Sequence, residues 1–263
     1  ISQITFLKGA QAVVLYGSKA AKGAILITTK RGKVDGIKVD VTANTGWYVA
    51  KSYPEYLSSA EYMTLYNKGR ASDGLSPLYK DEIYDFGAGD NPYRYPNVDY
   101  YSSDYIRKAY NRSEATAEIE GGGKRAHFYS NINFYRVGDV FKFGEAKHNH
   151  TNRFNVRGNV DVNISDDIKA YVNANATFYD ASSAKGDYWS TAASMRPNYP
   201  QNAAPLIPID YISPSATNAW ALINNANLID GKYFLAGSQE NSTHIFGDIY
   251  SAGKTKYTSR QFQ

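Results

Sequence analysis

The sequence predicts an all-β fold: part of a large antiparallel transmembrane β-barrel, with a short α+β piece at the N-terminus. Three observations carry this reading. Long stretches alternate apolar and polar residues with a period of two, as strands with two different surroundings do. These stretches run to about ten residues or more, beyond the usual five or six of soluble sheets and near the length a membrane strand needs. The connections between them are alternately short and long, as in barrels of bacterial outer membranes. Soluble β-sandwiches alternate as well, so the case rests on strand length and loop asymmetry together.

Composition narrows the function classes. The 263 residues carry 29 Lys+Arg against 25 Asp+Glu, a formal net charge of +4, too mild to argue for nucleic acid. There is no Cys, which excludes disulfides, thiolate metal sites and a cysteine nucleophile. Tyr is unusually frequent at 24 residues. Mean hydropathy is −0.50, and no apolar run approaches the ~18 residues of a spanning helix. That excludes a helical membrane protein and leaves a β-barrel open, because alternating strands average out polar. The chain starts at Ile1 without Met and ends in mid-pattern at Gln263, so it is expected to be a piece of a longer protein.

The elements follow in order. Phe6 to Tyr16 is compatible with a short helix closed by Gly17, and Gly23 to Lys30 is an apolar, β-branched run expected to form a buried strand. From Ile37 to Tyr48 one face reads Ile37, Val39, Val41, Ala43, Thr45, Trp47 and the other Lys38, Asp40, Thr42, Asn44, Gly46, Tyr48. The same division recurs over Arg153–Ile164 and Ile168–Tyr179, and two further strands fit Arg112–Glu120 and Arg125–Arg136. Gly121–Lys124 and Ser165–Asp167 are the short connections, whereas about 49–110, 138–150 and 183–254 are long. A part of a sixth strand is expected to end near Gln263. In the first long loop, Leu57 to Lys68 is a helix candidate with Ser58 as N-cap and Glu61 in the capping-box position. Asp81–Phe86 and Asp104–Tyr110 are shorter helix candidates, and 182–236 reads as irregular. Val160 is expected to face lipid and Asn159 the lumen, where Arg in place of Asn159 should mostly be tolerated or alter uptake.

The run Phe6-Leu-Lys-Gly-Ala-Gln-Ala-Val-Val-Leu-Tyr-Gly17, continuing through Gly23-Ala-Ile-Leu-Ile-Thr-Thr-Lys-Arg-Gly32, closely resembles the end of the plug domain in the SusC/RagA family of TonB-dependent outer-membrane transporters. Tyr16, Gly17, Gly23, Thr28, Thr29, Lys30 and Gly32 fall on that motif. Gly9, Lys19 and Lys22 depart from the family's usual Asp, Arg and Asn, which are surface-type changes. Leu57–Tyr62 resembles the family's helix in the first external loop, Ala117–Asn133 its Gly-Gly hairpin, and Arg153–Asp161 a later strand. The resemblance covers residues 1 to about 180. It implies that 1–33 ends the plug and 34–263 forms the first five to six barrel strands. It also implies an outer membrane of Bacteroidetes type, a SusD-like surface lipoprotein as lid, and import of a glycan or peptide energised through TonB. The TonB-contacting segment is expected upstream of Ile1.

No enzyme chemistry, cofactor or nucleic-acid partner is expected. His148-Asn-His150 lacks the carboxylates a metal site would add, Gly121-Gly-Gly-Lys124 lacks the P-loop spacing, and Asp166-Asp167 is a turn pair. The aromatic loop residues Tyr93, Tyr95, Tyr100, Tyr101, Tyr188, Trp189, Tyr199 and Trp220 carry three readings. They stack on substrate, contact the lid, or pack the loops on one another. The rival function is a surface adhesin or carbohydrate-binding β protein that holds its ligand without moving it, and such a protein has no reason to carry the plug motif.

Overall fold

A computed structural model describes residues 1–33, 36–102, 104–187, 190, 206–213, 215, 228–234 and 253–263. At the N-terminus, β1 (Gln3–Leu7), α1 (Ala10–Tyr16) and β2 (Ala24–Thr28) form a small unit. β1 and β2 pair antiparallel, from Gln3 opposite Thr28 to Leu7 opposite Ala24. Phe6 and Leu7 therefore belong to a strand, and the helix expected from Phe6 starts only after Gly9. The reversal needs backbone that L side chains rarely adopt, and Gly9 (φ 56°) and Gly17 (φ 69°) supply it at either end of α1. β2 was expected to be buried but is not: Ile25 and Ile27 are more than half exposed. Among the described residues no third strand pairs with β1 and β2, and the buried residues of this unit are Ala12 of α1 and Ala20.

The main body is one antiparallel sheet of six strands: β3 (Ile37–Val49), β4 (Ala109–Gly122), β5 (Ala126–Val137), β6 (His150–Asn163), β7 (Lys169–Ala184) and, after the short loop strands, β11 (Lys254–Phe262). Each strand pairs with the next, with β3 and β11 at the two margins, so the sheet is an open wall. The short turns are closed locally, by the Gly123 N–H donating to the Ala126 carbonyl (2.7 Å) and the Ile168 N–H donating to Ser165 Oγ (3.1 Å).

Register sorts the side chains into two faces. Val39, Ile119, Ser130, Gly158 and Ala174 are successive partners across five strands, and Ala117, Ile132, Val156, Ala176 and Phe262 make a second such row. The opposite face carries Asp40, Glu118, Asn131, Arg157 and Asn175 in one row. From Ile168 to Phe178 the apolar face runs about 35 Å along β7, roughly 27 Å across at a ~40° tilt. This is the height of a lipid-facing band.

The long loops pack into a cap at one end of the wall. α2 (Ser59–Ser72) starts at the expected capping box: Ser58 accepts from the Glu61 N–H, and Glu61 accepts from the Ser58 N–H. The Ser58 bonds hold the Glu61 carboxyl below its usual range. A depressed carboxyl contributes stability that is present above the ordinary carboxylate range and lost as pH falls through the lowered value. Ser58→Ala should cost about 1 kcal/mol locally and raise amide exchange in α2 while leaving β3–β7 unchanged. Met63 of α2 packs with Tyr79 and with Phe86 of α3 (Glu82–Ala88).

The helix expected at Asp104–Tyr110 does not form, because Ala109 and Tyr110 already pair with Val49 and Tyr48 in the sheet. Nor is 182–236 wholly irregular. β7 continues to Ala184, and β8 (Ile207–Pro208), β9 (Leu228–Ile229) and β10 (Tyr233–Phe234) make a small separate sheet. A second apolar cluster joins all three long loops: Val98, Tyr100, Tyr101 and Ile106 from the first, Phe141 and Ala146 from the second, Leu206 and Ile229 from the third.

Candidate functional site at the inner face of the wall

The segment leaving β2 crosses the polar face of the sheet, and this defines that face as the inner one. Arg157 of β6 donates to Thr29 Oγ1 (2.5 Å), and Asn159 Nδ2 donates to the Lys30 carbonyl (3.2 Å). Lys30 pairs with Glu118 of β4, and Arg31 pairs with Asp161 of β6. Arg31 also reaches Asn173 of β7 (3.4 Å) and lies over the Tyr171 ring, 5.5 Å from its centroid. His127 of β5 approaches the other Asp161 oxygen at 3.3 Å. Gly32 runs so close to β5 that an added Cβ would overlap the Phe128 main chain. Each ion pair is partly solvated and is worth about 0–1 kcal/mol alone. Together with the amide and hydroxyl bonds they fix one seat across four strands.

Thr29, Lys30 and Gly32 of the motif make this junction. Tyr16, Gly17, Gly23 and Thr28 instead shape the N-terminal unit. Asn159 is 1% exposed beneath the exit segment, so of the two outcomes expected for Arg there, tolerance is corrected: the longer side chain has no room. Sequence reasoning expected the inward Arg, Asn and Asp side chains to line a wet interior and meet the plug, but it singled out none of Glu118, Asp161 and Arg157 as the partners. Their only signal was charge at inward positions of the alternation.

Toward the loops, Glu114, Tyr135, Arg153 and Tyr179 are register partners on one level of the inner face. Arg112 and Arg153 both stand 5.3 Å from the Tyr135 ring centroid, and Arg112 pairs with Glu114 at 3.0 Å. One level below, Asn133 donates to Glu114 (3.1 Å) and Thr116 (2.8 Å), and Asn155 donates to Asn133 (3.4 Å). Amides, hydroxyls and Tyr–Arg stacks suit a wet passage for polar solutes, and they hold no acid–base or nucleophile arrangement in contact with one another.

Where the wall meets the loops, Tyr48 and Tyr110 stack at 5.1 Å beside a cavity of about 350 Å³ that Tyr53, Arg107, Lys108 and Asp139 also line. Of the candidate loop aromatics, Tyr100 and Tyr101 are 1% and 6% exposed in the loop cluster, where burial pushes the Tyr101 phenol up to about 12. They pack loops together and offer little surface to a partner. Tyr93 lies 5.1 Å from Tyr211, and Tyr95 stands edge-on to Phe86 at 5.5 Å. Both keep partial exposure. Tyr188, Trp189, Tyr199 and Trp220 lie outside the described residues. His148 and His150 adjoin each other at the start of β6, where His150 Nδ1 meets the His148 carbonyl at 2.7 Å.

Comparison with known proteins agrees with this architecture. No family model matches the chain. It is 27% identical over 198 residues to TonB-dependent receptor P26 of Formosa agariphila, covering 74% of this chain and 18% of that protein. It is 22% identical over 176 residues to TonB-dependent receptor P3 of the same organism, covering 66% and 15%. Against TonB-dependent receptor SusC of Bacteroides thetaiotaomicron it is 40% identical over 70 residues, 26% of this chain and 7% of that one. The chain thus spans less than one fifth of the length of these relatives. Its fold matches the RagAB peptide transporter with a TM-score of 0.51 at 20% identity, over 70% of this chain and 22% of that chain. The RagAB importer in its closed-closed state matches with a TM-score of 0.50 at 19% identity, with the same coverage. These relatives are named as receptors and transporters, not enzymes.

Proposed function

From a chain that is SusC/RagA-like in sequence and in fold, we propose that it forms part of a TonB-dependent importer of the outer membrane. In this reading residues 1–33 end the plug and 34–263 are the first barrel strands. The apolar outer face meets lipid, and the polar inner face holds the plug and lines the path. The loops at about 49–110, 138–150 and 183–254 stand outside the cell, and Gly121–Lys124 and Ser165–Asp167 lie on the periplasmic side.

The observation that carries this is the junction. Lys30 and Arg31 are ion-paired to inward carboxylates of the wall, so the segment leaving the N-terminal unit is seated on the sheet's polar face. An adhesin that only holds its ligand has no use for such a seat. A seated plug blocks diffusion, so passage requires an outside force, which TonB would supply. The cargo is a glycan or peptide nutrient, and a SusD-like lipoprotein covers the loop cap.

Deletion of 206–234 in the full-length receptor provides the test, since Leu206 and Ile229 sit in the shared loop cluster. Substrate uptake and co-purification of the lid lipoprotein should fall by at least an order of magnitude, while the barrel stays inserted and heat-modifiable. Unchanged uptake would remove the loop cap from the transport path.

A further inference from the structure

We propose that the outer face of the wall carries a binding site for the phosphorylated headgroup of a membrane lipid, at the loop-side boundary of the apolar band. This rests on the reading that the outer face meets the bilayer. Thr45, Ser113, Arg136, Asn152, Asp180 and Thr258 are register partners in one row across all six strands. The apolar band stops at this row. The charged residues on the outward positions of the six strands are Arg136, Asp180, Lys254, Lys256 and Arg260, and all of them lie at or close to it. Arg260 stands one step toward the short turns, beside Phe178; beyond it the outward positions are uncharged, from Ala117, Ile132, Val156 and Ala176 to Gly121, Ala126, Val162 and Ala170. One rim of the band is therefore cationic and the other neutral.

Two of these cations are already engaged. Arg260 donates to both Asp180 oxygens (3.0 and 3.1 Å), and Lys254 pairs with Glu145 at 2.8 Å. Arg136 and Lys256 have no acidic partner among the described residues. They stand on β5 and β11, three strand spacings or roughly 14 Å apart across the sheet and one step, roughly 7 Å, apart along it. Between them lie Asn152, Asp180 and Ser182: the Asp180 carboxylate is held by Arg260, and Asn152 Oδ1 and Ser182 Oγ are buried with no hydrogen-bond partner among the described residues.

Long cationic side chains can converge over that gap. A phosphate placed there meets a guanidinium fork and an ammonium, with the Ser182 hydroxyl free to turn as a donor. Directly below lie Phe154, Phe178 and Phe262, whose rings stand 6.0 and 5.7 Å apart in sequence across β6, β7 and β11. Apolar contact below and paired cations above fit a molecule with acyl chains and a phosphorylated head, rather than a free anion. Trp47, 64% exposed on the same face one step above the row, fits the interfacial aromatic girdle.

The test uses the full-length receptor in detergent, incubated with diphosphoryl lipid A or phosphatidylcholine, washed, and assayed for retained lipid by mass spectrometry. Arg136→Gln with Lys256→Gln should lower lipid A retention by on the order of tenfold to thirtyfold and leave phosphatidylcholine retention unchanged. Arg136→Lys with Lys256→Arg should restore most of it. Heat-modifiability of each variant reports that the barrel is intact. Unchanged retention in an intact double variant would overturn the proposal, as would displacement of lipid A by inorganic phosphate at equal concentration. Labelling of Val160→Cys by a bilayer-soluble maleimide separates the two levels of failure. If Val160→Cys reacts and retention does not change, the lipid site alone is wrong; if it does not react, the bilayer-facing reading falls as well.

Discussion

Val160→Arg in the full-length receptor is expected to destabilise the inserted barrel by about 2–4 kcal/mol, whereas Asn175→Arg is expected to be nearly neutral. Val160 is 41% exposed on the outer face, flanked by Phe128 and Val172 in the same row. A guanidinium there enters hydrocarbon without a partner, and the nearest outward charges lie at the far end of the strand. Asn175 sits on the inner face between Arg157 and the β11 margin, where an added cation stays in a wet, polar setting. Reversible unfolding from lipid vesicles measures both. Equal costs, or the reverse order, would mean that the register is displaced by one residue and the faces are exchanged.

Gly32→Ala is expected to unseat the N-terminal unit. The added methyl would overlap the Phe128 main chain, so the exit segment has to lift, and overpacking of this kind typically costs 1–3 kcal/mol. Lifting also separates Lys30 from Glu118 and Thr29 from Arg157. Gly46→Ala is the matched control, because a Cβ at that inward position of β3 meets nothing within 4 Å. Cells expressing the full-length Gly32→Ala receptor should become sensitive to a large antibiotic that an intact outer membrane excludes. The Gly46→Ala cells should not. Identical behaviour of the two would show that the segment is not held on the wall at Gly32.

The strands were legible because their two faces meet different surroundings. Val39 beside Asp40 and Val160 beside Asp161 report an apolar side and a wet one, and the alternation then sets strand length and register parity. The capping box at Ser58 and Glu61 was equally readable, since its chemistry is contained within one helical turn. The junction was not, because Lys30 and Glu118 are 88 residues apart and meet only once the register of β4 is fixed. The same charges, read alone, describe a hydrated lumen that meets the plug and name no pair. Tyr100 and Tyr101 show a different limit. Tyrosine serves both a binding surface and a loop core, and only the packing of three loops on one another decides between them. At Asp104–Tyr110 local helix preference lost to pairing, since Tyr110 and Ala109 close the end of the β3–β4 ladder.

The most direct test of the whole account is the sidedness of the loops in intact cells. An epitope inserted in the full-length receptor after Asp73, at the exposed end of α2, should be labelled by antibody from outside, and one inserted beside Asp166 should be labelled only after the outer membrane is opened. The account predicts that pattern, with both insertions leaving a heat-modifiable barrel. Labelling of the Asp166 epitope on intact cells, with the Asp73 epitope protected, would contradict it and invert both the wall and the role given to its loops.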